Sequence, residues 1–182
     1  MILTLALLLS APGPAGPWRA ALDLAGGELR FSMTVTEKHG RWAGRLCNAG
    51  ECQAFSGIRQ VGDSLVFELA DYAATISAAM RGDSLVGHYR NVGRRGPRTI
   101  PFRARRGSWP AVRASRHLLG DWDAFFQGTV EATPRILRFK NGDRGLEGTI
   151  ISNSGDYGQF WGGVVGDSFA IAHFDGSFVY LL

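Results

Sequence analysis

The sequence has very little lysine and very little cysteine. Lys38 and Lys140 are the only lysines among 182 residues, against 18 arginines. Cys47 and Cys52 are the only cysteines, with four residues between them. That spacing excludes the C-x-x-C motif, in which a helix N-terminus lowers one thiol pKa. It also excludes a zinc site built on several thiolates. His39, His88, His117 and His173 are isolated from one another, so neither a metal nor another cofactor is expected. No Gly-rich phosphate loop occurs. The apolar run from Met1 to Leu9 falls short of the roughly 20 residues a membrane-spanning helix needs, so no transmembrane segment is expected.

Glycine, by contrast, is plentiful: 25 residues, spread through the chain rather than clustered. They separate short runs of Val, Ile, Phe, Tyr and Trp, a pattern of many tight turns that predicts an all-β protein. Hydrophobic content of 45% and charged content of 20% fit an ordinary globular chain. Nine arginines crowd between Arg90 and Arg116. Such a cluster meets phosphates or an acidic surface, or simply coats a solvated strand face and linker. No aromatic RNA-binding segment or zinc-finger spacing accompanies it, so no nucleic-acid partner is expected.

Residues 1–15 read as a signal peptide. Met1 to Leu9 suits the apolar core of such a signal, and Gly13 and Ala15 are the small residues a signal peptidase reads, which places cleavage after Ala15. A basic leader is missing, and the alternative is a buried first strand. The expected location is periplasmic or secreted.

From Trp18 the pattern is strand, turn, strand. Leu29 to Val35 alternates strictly, with its apolar residues on one face. Further strands are expected over Trp42–Leu46, Phe55–Val61, Ser64–Leu69, Tyr72–Ala79 and Leu85–Tyr89. Thr99–Arg105 is expected near a sheet edge because of Pro101. Cys47 and Cys52 flank a turn, so an antiparallel hairpin brings them opposite one another as a structural disulfide. A redox-active pair is the alternative.

Shifting the chain by 104 residues aligns Trp18-Arg-Ala with Trp122-Asp-Ala, Gly44-Arg-Leu with Gly148-Thr-Ile, and Gly62-Asp-Ser-Leu with Gly166-Asp-Ser-Phe. Leu29-Arg-Phe31 meets Leu137-Arg-Phe139 only after a slip of four residues, read as a loop-length change. Two repeated antiparallel meanders are therefore expected, forming a sandwich or open barrel. The first spans residues 16–106, a linker spans 107–117, and the second spans 118–182 and is truncated, lacking the first copy's last two strands.

The words GDSL at Gly62–Leu65 and Gly82–Leu85 match the nucleophile block of one esterase class. In that class the serine's partner histidine stands three residues after an aspartate, and none of the four histidines here does. A Gly-Asp hairpin turn followed by a strand accounts for the words. Asp121 with Asp123, and Glu147 with Asp156, are the carboxylate pairs open to a glycosidase reading. Among the aromatics that thicken the second half, Trp122, Tyr157, Trp161 and Phe174 are candidates to line a ligand cavity or sugar-binding face. A packed core between sheets is the other reading.

The stretch from Gly148-Thr-Ile to Gly155-Asp-Tyr157, followed by Gly162-Gly163, Gly166-Asp-Ser168 and Phe174-Asp-Gly-Ser177, resembles a family pattern. It is similar to the region preceding the thioredoxin-like domain of exported TlpA-like thiol-disulfide oxidoreductases, in the redoxin or AhpC/TSA superfamily. Trp18, Leu29-Arg-Phe31 and Pro101-Phe-Arg-Ala104 extend the likeness to the front half. Gly158 replaces the usual Arg, and Phe178 stands where His is usual. The resemblance implies an accessory β-domain, partnered by a downstream thioredoxin-like domain or a client protein. The family's active cysteines lie in that later domain, so no catalytic residue carries over. The alternative is a stand-alone extracytoplasmic β-barrel that binds a small ligand or sugar.

Overall fold

Alternating apolar and polar residues make the strands, and Gly-Asp turns end several of them, in a computed structural model of the chain. It describes residues 13–93, 96–127, 132–165, 168–174 and 179–181. The first half contains β1 (Gly16–Leu24), β2 (Gly27–Lys38), β3 (Arg41–Asn48), β4 (Glu51–Ala54), β5 (Gly57–Val61), β6 (Ser64–Leu69), β7 (Ala74–Arg81), β8 (Ser84–Gly93) and β9 (Gly96–Arg106). They form one nine-stranded antiparallel sheet in the order β4-β3-β2-β1-β9-β8-β7-β6-β5. Its two ends curl toward each other. The Phe55 N–H donates to the Gly44 carbonyl at 2.9 Å, and the Ser56 N–H to the Glu68 carbonyl at 2.8 Å. The result is a half-barrel whose inner face buries Trp18, Phe31, Phe67, Tyr89 and Phe102 at 1% exposure or less. Aromatic side chains of this size dominate the burial free energy of such a core.

The second half contains β10 (Gly120–Gln127), β11 (Ala132–Asn141), β12 (Leu146–Ser152), β13 (Gly155–Asp156), β14 (Phe160–Val165), β15 (Ser168–Phe174) and β16 (Val179–Leu181). Its sheet runs β10-β11-β12-β14-β15-β16, with β13 attached to β12. The protein is all-β, built of two antiparallel meanders.

Strand registers establish the repeat directly. Trp18 pairs with Met33 and Trp122 with Leu137; Val35 pairs with Gly44 and Phe139 with Gly148. Cys47 pairs with Cys52 and Ile151 with Asp156; Val61 pairs with Ser64 and Val165 with Ser168. Each residue lies 104 positions from its counterpart, with no slip. The expected four-residue slip is thus corrected: Leu137 answers Met33, not Leu29. An apolar-x-apolar word in a strand repeats every two residues, so it matches at several even offsets and cannot fix the register. Counterparts of β8 and β9 are not found among the described residues.

The placement of β9 is a second correction. It lies between β8 and β1, not at an edge, and Pro101 pairs with His88. The Arg106 N–H points to Asp83 on the β8 side, and the Gly107 N–H to Pro17 on the β1 side. By alternation the Pro101 nitrogen faces β1, whose ladder with β9 ends one residue earlier, at Phe102. No ladder bond is lost, so proline is tolerated inside the sheet. Two strand limits also differ from expectation. Phe55 and Ser56 form the closing crossover before β5, and Tyr72 sits in a short 3-10 turn, Ala70–Tyr72.

Of the expected signal peptide, residues 1–12 lie outside the described residues. The Pro14 carbonyl accepts from the Trp18 indole at 2.9 Å, and Arg106 donates to the Ala15 and Gly13 carbonyls.

Candidate functional site

The β3–β4 hairpin turns through only two residues, Ala49 and Gly50, because Asn48 still pairs with Glu51. Ala49 takes φ 52°, in the left-handed region that costs a side chain energy. Period-2 alternation sends Arg45 and Cys47 to one face of β3 and buries Asn48 on the other. Cys47 and Cys52 oppose each other and are bonded, with Cα atoms 4.1 Å apart. The bond expected from the sequence between these two cysteines is formed. Cys52 is exposed and Cys47 half-buried, so the bond lies outside both cores.

This hairpin also joins the two sheets. Asn48 donates through Nδ2 to the Arg30 carbonyl at 2.8 Å and accepts through Oδ1 from the Phe174 N–H at 3.3 Å. The Gly50 N–H donates to Gln159 Oε1 at 3.3 Å, and the Gln159 N–H to Glu51 Oε1 at 3.4 Å. From the linker, Trp109 donates to the Phe31 carbonyl at 2.8 Å, lies 4.8 Å from the Arg30 guanidinium, and meets Trp161 edge-on at 6.1 Å.

Between the sheets runs a groove of about 290 Å³. Ser32, Thr34, Arg45, Ala49, Gly50 and the disulfide line one side; Asp143, Arg144, Glu147 and Trp161 line the other. Lys140 holds Glu147 at 3.2 Å. The groove lining thus sets two arginines, Arg45 and Arg144, against Asp143 and an already paired Glu147. Arginine planes beside an indole suit recognition of a carboxylate or a peptide backbone.

The four aromatics singled out in the sequence do not share one wall. Trp161 is 5% exposed and borders the groove. Phe174 is sealed in the half-barrel core, 5.0 Å from Phe31 and 5.5 Å from Tyr89 between ring centroids. Trp122 on β10 and Tyr157 before β14 lie on the surface. Sequence reasoning missed Asn48, Trp109 and Gln159. The signal available was the presence of an Asn and a Trp in segments otherwise read as turn and linker.

The other candidates resolve as turn and surface chemistry. Gly62 and Gly82 take φ 61° and 58° in two-residue hairpin turns, and Ser64 Oγ donates to Asp63 at 3.4 Å. The third Gly-Asp word, at 166–167, lies outside the described residues. Asp121 accepts two bonds from Arg138 at 2.7 and 2.8 Å; these hydrogen bonds outweigh the opposing effect of burial and hold its carboxyl below the usual range, with the guanidinium's charge adding a smaller lowering. Asp156 caps the Gly158 N–H at 3.2 Å. Among the described residues, no group of three His, Cys, Asp or Glu converges as a metal site, and no helix is long and apolar enough to cross a membrane. No family model, no curated protein and no solved structure matches the chain.

Proposed function

We propose that the chain is a non-catalytic β module of an exported thiol-disulfide oxidoreductase, docking a thioredoxin-like domain or its client in the seam groove. The observation that carries this reading is the groove itself, where a partly exposed disulfide, two arginines and Trp161 meet between the two copies. The resemblance supplies the class of partner. A periplasmic or secreted location accords with the disulfide, which persists in oxidising compartments. The alternative, a small-ligand or sugar-binding barrel, has less support. The half-barrel interior is filled by Phe31, Phe67, Phe102, Tyr89 and Phe174, and a ligand there must first displace Phe174.

Docking is tested by titrating the isotope-labelled chain with a thioredoxin-fold protein and following amide shifts. Saturable shifts at Arg45, Arg144 and the Trp161 indole, lost on Arg144→Glu, support the reading. Shifts confined to other faces, or none at millimolar partner, overturn it.

A further inference from the structure

We infer that Cys47–Cys52 is a reversible redox disulfide, exchanging electrons with the dithiol of a thioredoxin-fold partner seated in the seam groove. The identity of the partner rests on the function proposed above; the reducibility of the bond rests on the geometry alone.

The internal repeat serves as a control for the structural role of this bond. Ile151 and Asp156 stand in the second copy where Cys47 and Cys52 stand in the first, and they pair in the same register. The hairpin therefore forms without a crosslink. In the first copy the bond closes a short loop outside either core, where a ladder already holds the strands. It lies instead on the wall of a groove, with Cys52 exposed to an incoming thiolate and Cys47 partly covered. Attack on the more accessible sulfur makes the Cys47 sulfur the leaving group. Arg45 lies two residues from Cys47 on the same face of β3, and Arg144 lines the opposite wall. Nearby guanidiniums stabilise a thiolate and so speed its departure. The carboxylates in the same groove act against this, but Glu147 is held by Lys140, which leaves Asp143 alone.

The exchange balances. A partner thiolate attacks Cys52 Sγ, the Cys47–Cys52 bond breaks, and its electron pair stays on Cys47 as thiolate. The partner's second thiolate then attacks its own sulfur in the mixed disulfide and releases Cys52 as thiolate. The partner leaves oxidised by two electrons, and its two thiol protons pass to Cys47 and Cys52. The reverse sequence reduces a partner disulfide to its dithiol and restores the Cys47–Cys52 bond.

The full chain, with its disulfide formed, is equilibrated in glutathione buffers of graded ratio and trapped by alkylation, while circular dichroism follows the fold. In parallel it is mixed with a reduced thioredoxin-fold C-x-x-C protein, and with a variant of that protein lacking the resolving cysteine. The expected result is reduction of the folded chain, faster with the dithiol protein than with dithiothreitol at equal concentration, and a trapped mixed disulfide on Cys52. Arg45→Ala with Arg144→Ala, both at exposed positions, is expected to slow the exchange about threefold, because the departing thiolate loses its stabilising charges. Reduction only on unfolding overturns the inference and leaves the docking reading intact if the amide shifts persist. Reduction by glutathione with no preference for the dithiol protein and no trapped adduct overturns the partner assignment together with that reading. A trapped adduct on Cys47 overturns the assigned direction of attack.

Discussion

Asn48 accepts the backbone N–H of Phe174 at 3.3 Å across 126 positions of sequence, and its amide nitrogen donates to the Arg30 carbonyl. One side chain thus satisfies buried backbone groups on both sheets, in a residue only 1% exposed. Asn48→Ala leaves both groups without a partner and is expected to cost about 1–3 kcal/mol, the desolvation penalty of unmade buried bonds. Urea denaturation checks it, and a loss below half a kcal/mol contradicts the assigned role.

Phe174 and Trp122 separate core from surface aromatics. Phe174→Ala empties a site between Phe31 and Tyr89 and is expected to cost about 3–5 kcal/mol. Trp122 is 44% exposed, and Trp122→Ala is expected to cost much less. Equal losses in thermal or urea unfolding contradict this division.

Gly44 and Gly148 test the repeat at the level of single atoms. A Cβ on Gly44 runs into the Thr34 carbonyl, and one on Gly148 meets the carbonyl of Arg138 at 2.8 Å. Thr34 and Arg138 are themselves 104 positions apart. Alanine at either site forces backbone to move, and overpacking of this kind costs about 1–3 kcal/mol. Paired denaturation curves check it, with Gly44→Ala expected to show the larger loss.

Asp121 and Arg138 make the clearest pH-dependent contact. The hydrogen bonds from Arg138 lower the folded-state pKa of Asp121. The contribution of the pair is therefore complete above the ordinary carboxylate pKa of about 3.9 and is lost as pH falls through the folded value. Carbon-detected NMR titration is expected to give a midpoint for Asp121 below the ordinary carboxylate value of about 3.9, returning toward it in Arg138→Ala. Both side chains lie at the surface, so the shift shrinks with added salt.

What the sequence discloses is what local chemistry decides. Gly62-Asp63 and Gly82-Asp83 dictate tight turns, alternation over Leu29 to Val35 dictates a strand, and four intervening residues dictate a hairpin that pairs Cys47 with Cys52. The order of strands in a sheet is not local. Pro101 suggested an edge, because the end of the β1 ladder at Phe102 depends on where a strand 80 residues earlier stops. The groove is hidden for the same reason: Arg45, Arg144 and Trp161 are distant in sequence, and Trp109 gains its role only by wedging between Arg30 and Trp161. The repeat itself was legible, but its register needed ladders.

The Cys47–Cys52 bond can be separated from the hairpin that carries it. Cys47→Ile with Cys52→Asp installs the pair that the second copy uses at the same register. If the hairpin folds by its own ladder and turn, the variant keeps the far-ultraviolet circular dichroism of the parent and unfolds cooperatively. Its stability falls by about 2 kcal/mol, the denatured-state entropy of so short a closed loop. The Asn48, Gly50 and Glu51 contacts to the second sheet are expected to persist, because none passes through sulfur. Hydrogen exchange at the Gly50 and Phe174 amides reads them individually. Protection retained at both amides shows a bond free to open and close without releasing the seam. Protection lost at both shows that the disulfide holds the two sheets together, and then it cannot cycle in the folded chain.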